Sequence, residues 1–206
     1  MIRDLQIGPL CRLFGRDAAE ATAKLDGVRA WMGDMAEALA PRLERPFAWR
    51  EDPHDEPALV DLGEGGIAAL RLTAVYADRT DLDLPSELPD PLILDPVFRA
   101  AEEGRFARSN YGHLLAAQAW VPPDFDFTCA VPRPDGEDWT IGSLPALRDQ
   151  LVFLAQRTVG VGPESLRGTG AVADRVLGAF LRAVAVMHAA AQQALRRDVP
   201  LVLLDR

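Results

Sequence analysis

Histidine and cysteine are the side chains that most often carry acid–base and metal chemistry, and this sequence holds three histidines and two cysteines. His54, His113 and His188 are separated by 59 and 75 residues, and Cys11 and Cys129 belong to no paired motif. A zinc site needs such ligands at short, convergent spacings. The sequence therefore predicts no metal site and no bound cofactor.

His113 and His188 are the candidates for acid–base chemistry. His188 falls at the border of an apolar helix face, and His113 follows Gly112 where a helical region can kink. A buried imidazole acts as a general base when a carboxylate orients it. If the protein is an enzyme, we expect one of these histidines to line a pocket between the sheet and the helices. Otherwise His188 is a core-edge residue with one satisfied hydrogen bond, and His113 has no functional role.

Three short patterns partly match known site motifs. Ser143 follows Gly142 after an expected strand, but Leu144-Pro145 replaces the small residues of a nucleophile elbow, so we interpret Ser143 as a helix cap. Residues 168–173 match Gly-x-Gly-x-x-Ala, but no expected strand precedes them, and we interpret the glycines as a tight turn. Residues 52–56 offer oxygen ligands without the spacing of a calcium loop, which indicates a solvated turn.

Acidic side chains are concentrated in one stretch of the chain. Residues 51–90 hold 11 acidic and 2 basic side chains, a net charge of −9 that equals that of the whole sequence. Two clusters carry most of this charge: Asp52, Asp55 and Glu56, then Asp78, Asp81, Asp83, Glu87 and Asp90. Such a surface attracts basic proteins and repels nucleic acid and anionic membranes. We therefore expect a basic protein partner, and neither nucleic acid nor membrane.

The strands between the acidic loops determine where those loops lie. Residues 47–49, 58–62 and 67–76 have the apolar or alternating patterns typical of strands, and polar turns separate them. We expect a three-stranded antiparallel meander, in which the loops at 51–57 and 78–90 leave the same end of the sheet. The two acidic clusters would then form one face.

The rest of the sequence is mainly helical in pattern. Helices are expected at about 17–43 behind an Asp17 cap, from Asp95-Pro96 to about 120 with breaks at glycines, and at 144–159. Residues 125–131 and 139–141 predict a β-hairpin. The last helix, expected at 171–197, has a wide apolar arc, and a short strand at 201–204 is expected to join the sheet edge.

These elements predict an α+β fold in a single domain over residues 1–206. A mostly antiparallel sheet, built from the meander and the hairpin, should pack against several helices, including a long apolar C-terminal helix. The N-terminal residues lack the apolar core of a signal peptide, and no stretch of about 20 apolar residues is present. With two unpaired cysteines, these features predict a cytoplasmic location.

Three functions are compatible with this sequence. The first is a bacterial-type interaction protein, not an enzyme, that binds a basic protein through the two acidic clusters; its likeness to immunity proteins and effector chaperones is one of charge alone. The second is an enzyme or small-ligand-binding protein with a pocket near His113 or His188. The third is a homo-oligomeric structural component joined through the last helix.

Overall fold

Six short strands form one sheet in the computed structural model, which describes residues 4–79, 81–166 and 175–204. The strands are β1 (Leu5–Ile7), β2 (Ala58–Val60), β3 (Ala119–Val121), β4 (Cys129–Pro132), β5 (Asp138–Ser143) and β6 (Leu201–Leu203). Their order across the sheet is β2-β1-β6-β3-β5-β4. Among these strands β3 and β5 are parallel neighbours, and the other neighbouring pairs are antiparallel.

Seven α-helices flank this sheet within the described ranges. They are α1 (Leu10–Phe14), α2 (Ala18–Leu39), α3 (Gly66–Ala77), α4 (Pro96–Glu103), α5 (Gly112–Ala116), α6 (Leu144–Val159) and α7 (Arg175–Arg197). Single 3-10 turns cover Ala40–Arg42, Leu92–Leu94 and Pro163–Leu166. The predicted α+β fold with a mostly antiparallel sheet is therefore confirmed.

Each face of the sheet carries its own hydrophobic cluster, because successive side chains of a strand point to opposite faces. Trp120 and Leu201 belong to a cluster with residues of α3, α5, α6 and α7. Ala119, Val121 and Val202 belong to a second cluster with α1 and α2. This second cluster contains the aromatic residues Trp31, Phe47, Trp49 and Trp139, whose rings meet edge to face.

Three of the predicted helix caps are confirmed. Asp17 accepts hydrogen bonds from two backbone N–H groups at the start of α2, and Asp95 does the same at the start of α4. Ser143 Oγ accepts from the backbone N–H of Ala146 at the start of α6. The predicted hairpin is also present, since β4 and β5 pair antiparallel. These features depend on short stretches of sequence, and the sequence alone indicates them.

The predicted meander is wrong. Residues 67–76 lie in helix α3, residues 47–49 lie outside the strands, and β2 pairs with the N-terminal strand β1. Helix α3 is buried on most of its circumference, so apolar residues occupy both of the faces that a strand would have. Alternation cannot then distinguish a strand from a helix, and the alanine- and leucine-rich composition of α3 favours the helix.

The C-terminal strand also differs from expectation. β6 lies between β1 and β3 in the middle of the sheet, whereas a place at the edge was predicted. The reason is β1, which the sequence analysis describes as an apolar lead-in and which pairs with the other edge of β6.

Residues 168–173, with the Gly-x-Gly-x-x-Ala pattern, lie outside the described residues. None of the helices described has both the length and the apolar character that a membrane span needs.

Candidate functional site

The second acidic cluster lies on a long loop that follows α3, and its ends are fixed by side-chain hydrogen bonds. At the start, Asp78 accepts from Ser109 Oγ and from the side-chain amide of Asn110. At the end, Asp95 caps α4 and accepts the Tyr76 hydroxyl at 2.9 Å. Leucines between these ends pack on the core: Leu84, Leu88 and Leu92. The loop is therefore held against the helices rather than extended into solvent.

The outer side of this loop combines exposed acidic and apolar side chains. Leu94 is 66% exposed, and Leu82 and Ile93 also lie open to solvent. The carboxylates of Asp83, Glu87 and Asp90 are exposed between them, and within the described ranges none of the three is in an ion pair. We call this set of six residues the acidic loop surface. Exposed apolar groups rimmed by charge are typical of protein interaction sites.

Much of the remaining acid has a structural role. Glu51 caps α1 by accepting from the backbone N–H groups of Leu10 and Cys11 at 2.8 and 3.0 Å. Asp52 pairs with Arg50 and accepts the backbone N–H of His54, and Asp55 pairs with Arg197 at the end of α7. Glu56 is exposed. The first cluster is thus largely engaged with its own chain.

The two acidic clusters are attached to different parts of the fold. Asp55 is bound to the C-terminal end of α7, and Asp78 is bound just before α5. The expectation that they share one end of the sheet depended on a strand at 67–76, and a helix occupies that place. The structural basis for one combined acidic face is therefore lost. A role of each residue in binding a partner stays a prediction.

His113 is buried and serves as a structural link. Its Nδ1 atom accepts the backbone N–H of Ser143 at 3.0 Å, and its carbonyl accepts Trp120 Nε1 at 2.7 Å. Burial lowers the pKa of the ring to about 4, although Asp126 and Asp124 act in the opposite direction. A Cβ atom at Gly142 would lie 2.9 Å from Nδ1, so this close approach requires glycine. A neutral, enclosed ring suits packing better than proton transfer.

His188 is buried on α7, and its Nδ1 atom lies 3.8 Å from Glu164 Oε1, beyond the distance of a hydrogen bond. The two cavities described below are lined by other residues. The predicted pocket at His113 or His188 therefore has no counterpart among these two cavities.

The thiol of Cys11 is poorly suited to act as a nucleophile. Burial, and after it Glu51, raise its pKa to about 12, which disfavours the reactive thiolate form.

Helix α7 was the expected contact between subunits. Its apolar side chains are buried against α3 and α6 of the same chain, and the described exposed positions include Arg175, Arg182 and Arg196. The helix therefore presents mainly polar residues to a second copy.

A groove lies between α3, the C-terminal end of α6 and the loop after α3. It measures about 500 Å³ and is lined by Thr73, Tyr76, Ala77, Arg79, Leu82, Leu84, Arg157 and Thr158. The hydroxyls of Thr73 and Thr158 are buried and have no hydrogen-bond partner within the part of the chain that the structure describes. Arg79 forms a bidentate ion pair with Asp81. The guanidinium carbon of Arg157 lies 6.0 Å from the centre of the Phe153 ring. We call this the α3–α6 groove.

A smaller cavity of about 220 Å³ lies beside β5 and β6, on the side of the aromatic cluster. Its lining includes Gln118, Arg133 and Trp139. Sequence reasoning singled out neither cavity, because their walls combine residues from distant segments whose local patterns are those of ordinary helices and strands. Within the described residues, no group of three His, Cys, Asp or Glu side chains is arranged to hold a metal ion.

No protein-family model, curated protein or solved structure matches this chain. A proposal for the function of this chain therefore depends on its own geometry.

Proposed function

We propose that this protein binds a basic protein partner through the acidic loop surface. The observation that carries the proposal is the combination, on one anchored loop, of three exposed carboxylates in no ion pair with the described residues and three exposed apolar side chains. Carboxylates that are not neutralised within the chain attract and orient a basic partner, and the apolar groups supply contact area. Asp78 and Asp81 flank this surface but are already bound by groups of the same chain.

Anchoring of the loop supports this proposal. A disordered acidic segment would lose conformational entropy on binding, which weakens affinity per unit of contact area. Here Leu84, Leu88 and Leu92 pack on the core, and Asp95 joins the loop end to Tyr76. The surface is therefore largely arranged before the partner arrives. We place this interaction in the cytoplasm, where Cys11 and Cys129 would remain free thiols.

The proposal is tested by a charge-neutral variant, Asp83→Asn/Glu87→Gln/Asp90→Asn. The immobilised protein is exposed to lysate of its source cells, and captured proteins are identified and then purified. We expect to capture a basic protein whose dissociation constant for the wild type rises with salt. For the triple variant, the dissociation constant should be about tenfold higher than for the wild type. Leu94→Ser should also weaken binding by about fivefold or more.

The matched control is Asp26→Asn/Asp34→Asn/Glu37→Gln, which removes three exposed acidic charges from α2. This variant has the same net charge as the test variant, so general electrostatic effects are equal in both. Capture of the basic protein should be retained by the control. Equal loss in both variants, or capture that is unchanged in the loop variant, would contradict the proposal.

A further inference from the structure

We propose that the α3–α6 groove is a binding site for a small amphiphilic anion, with a carboxylate or phosphate head and an aliphatic body. The proposal does not rest on the protein partner, but Leu82 belongs both to this groove and to the acidic loop surface. It depends on the lining of the groove, which combines apolar side chains with hydrogen-bond donors.

The polar part of the groove selects the head group. Arg79 and Arg157 carry guanidinium groups, which are donors only and are always charged. Thr73 is almost completely buried, and its hydroxyl, like that of Thr158, has no hydrogen-bond partner among residues 4–79, 81–166 and 175–204. A buried hydroxyl without a hydrogen bond lowers the free energy of unfolding, unless a water or a ligand atom forms that hydrogen bond. A lining that holds two cations and two hydroxyls without a partner among the described residues suits a negatively charged acceptor.

The apolar part of the groove selects the body of the ligand. Ala77, Leu82 and Leu84 line the wall, together with Tyr76. Leu82 is 39% exposed, so a ligand chain lying along the groove would remove more of its apolar surface from water. A volume of about 500 Å³ accommodates a small molecule rather than a folded domain.

Asp81 shows that the rim of the groove accepts a carboxylate. Both oxygens of Asp81 lie 3.1 Å from donors of Arg79, in the paired geometry that guanidinium and carboxylate groups favour. A ligand head group would compete with this internal carboxylate for Arg79. Arg157, in contrast, is in no ion pair with the described residues and is the cation that is free to bind first.

Four probes separate the contributions of head and body: octanoate, octyl phosphate, octanol and inorganic phosphate, titrated by calorimetry into the whole protein. We expect octanoate, octyl phosphate or both to bind in the millimolar range or tighter. Octanol and inorganic phosphate should bind about tenfold more weakly, because each lacks half of the recognised chemistry. The ratio of the two octyl anions identifies the preferred head group.

Variants then assign the binding to the groove. Arg157→Gln should weaken the binding of the preferred anion about tenfold, whereas Arg148→Gln, on the same helix outside the groove lining, should leave it unchanged. Asp81→Asn should strengthen it about threefold, because Arg79 is released. Thr73→Val should weaken binding without lowering the thermal midpoint, since it removes a hydroxyl that no described residue hydrogen-bonds.

Each result decides the proposal. Selective binding of an octyl anion, lost in Arg157→Gln and strengthened in Asp81→Asn, supports it. Equal affinity for octanol and both octyl anions would mean nonspecific apolar adsorption and would overturn it. The same conclusion follows if neither octyl anion binds at millimolar concentration, or if the two arginine variants behave alike.

Discussion

The function of a charged residue in this protein depends on its partners more than on its type. Glu51 and Glu56 are five positions apart in the same acidic segment, yet Glu51 is buried as the cap of α1 and Glu56 is exposed. The sequence alone shows that acidic residues are concentrated in this segment. It could not distinguish structural carboxylates from free ones, because the two backbone N–H groups of α1 that Glu51 caps lie about 40 residues away in the chain.

His113 gives a prediction at this scale. Its pKa is about 4 in the folded protein and 6.5 without burial. Between these values the unfolded chain takes up a proton that the folded protein does not, so stability falls as the pH drops from 6.5 to 4. We expect the wild type to lose up to about 3 kcal/mol more than His113→Asn over this range. Urea unfolding at several pH values measures the difference.

Asparagine is suited to this test because its side-chain oxygen can accept the backbone N–H that His113 Nδ1 accepts from Ser143. The matched control is His54→Asn, since His54 is exposed. Its stability should follow the pH dependence of the wild type. Parallel pH curves for the wild type and His113→Asn would show that burial does not hold the ring neutral.

Helix α3 is the element on which the arrangement of the candidate site depends. It provides Thr73, Tyr76 and Ala77 to the groove and begins the loop that carries the acidic loop surface. Its sequence is compatible with a strand when only alternation is considered. Residues 67–76 form a helix because packing against α4, α5, α6 and α7 buries apolar residues on most sides of α3.

Gly65 at the start of α3 gives a prediction at the scale of the element. Its φ of +67° lies in the left-handed region, and an added Cβ would lie 2.6 Å from Leu88 Cδ2. Gly65→Ala should therefore lower the free energy of unfolding by about 1–2 kcal/mol. Gly27→Ala is the control, since Gly27 lies within α2 and has open space around its Cα. That change should instead stabilise by up to about 1 kcal/mol.

Chemical denaturation followed by circular dichroism measures both glycine variants. A stabilising effect at Gly65 would contradict the turn geometry that starts α3. It would also remove the structural reason for the position of the loop, because Leu88 packs beside Gly65.

At the scale of the whole molecule, a single sheet contributes side chains to two hydrophobic clusters, one on each of its faces. Strand β3 contributes Trp120 to one cluster and Ala119 and Val121 to the other. Neither cluster can lose its packing without exposing the strand that the other needs. From this coupling we predict that the chain forms a single domain.

The matching prediction is that both clusters unfold together. Trp120 lies in one cluster and the other three tryptophans, Trp31, Trp49 and Trp139, lie in the second. In Trp120→Phe, fluorescence reports on the second cluster alone, whereas circular dichroism follows all the helices. We expect the two urea transitions to coincide within error. Separate midpoints would indicate two independently stable units, and the wild type provides the reference for the cost of the substitution.

The sequence by itself determined the features that depend on neighbouring residues: the caps at Asp17, Asp95 and Ser143, the β4–β5 hairpin and the α+β class. Only the tertiary structure decided that residues 67–76 are helical, that β6 is central, and that the two acidic clusters are attached to different elements. Caps and hairpins are stabilised by contacts within a few positions. Strand order, burial of a helix on several sides and the partners of a carboxylate are fixed by contacts between distant segments, which local patterns do not contain.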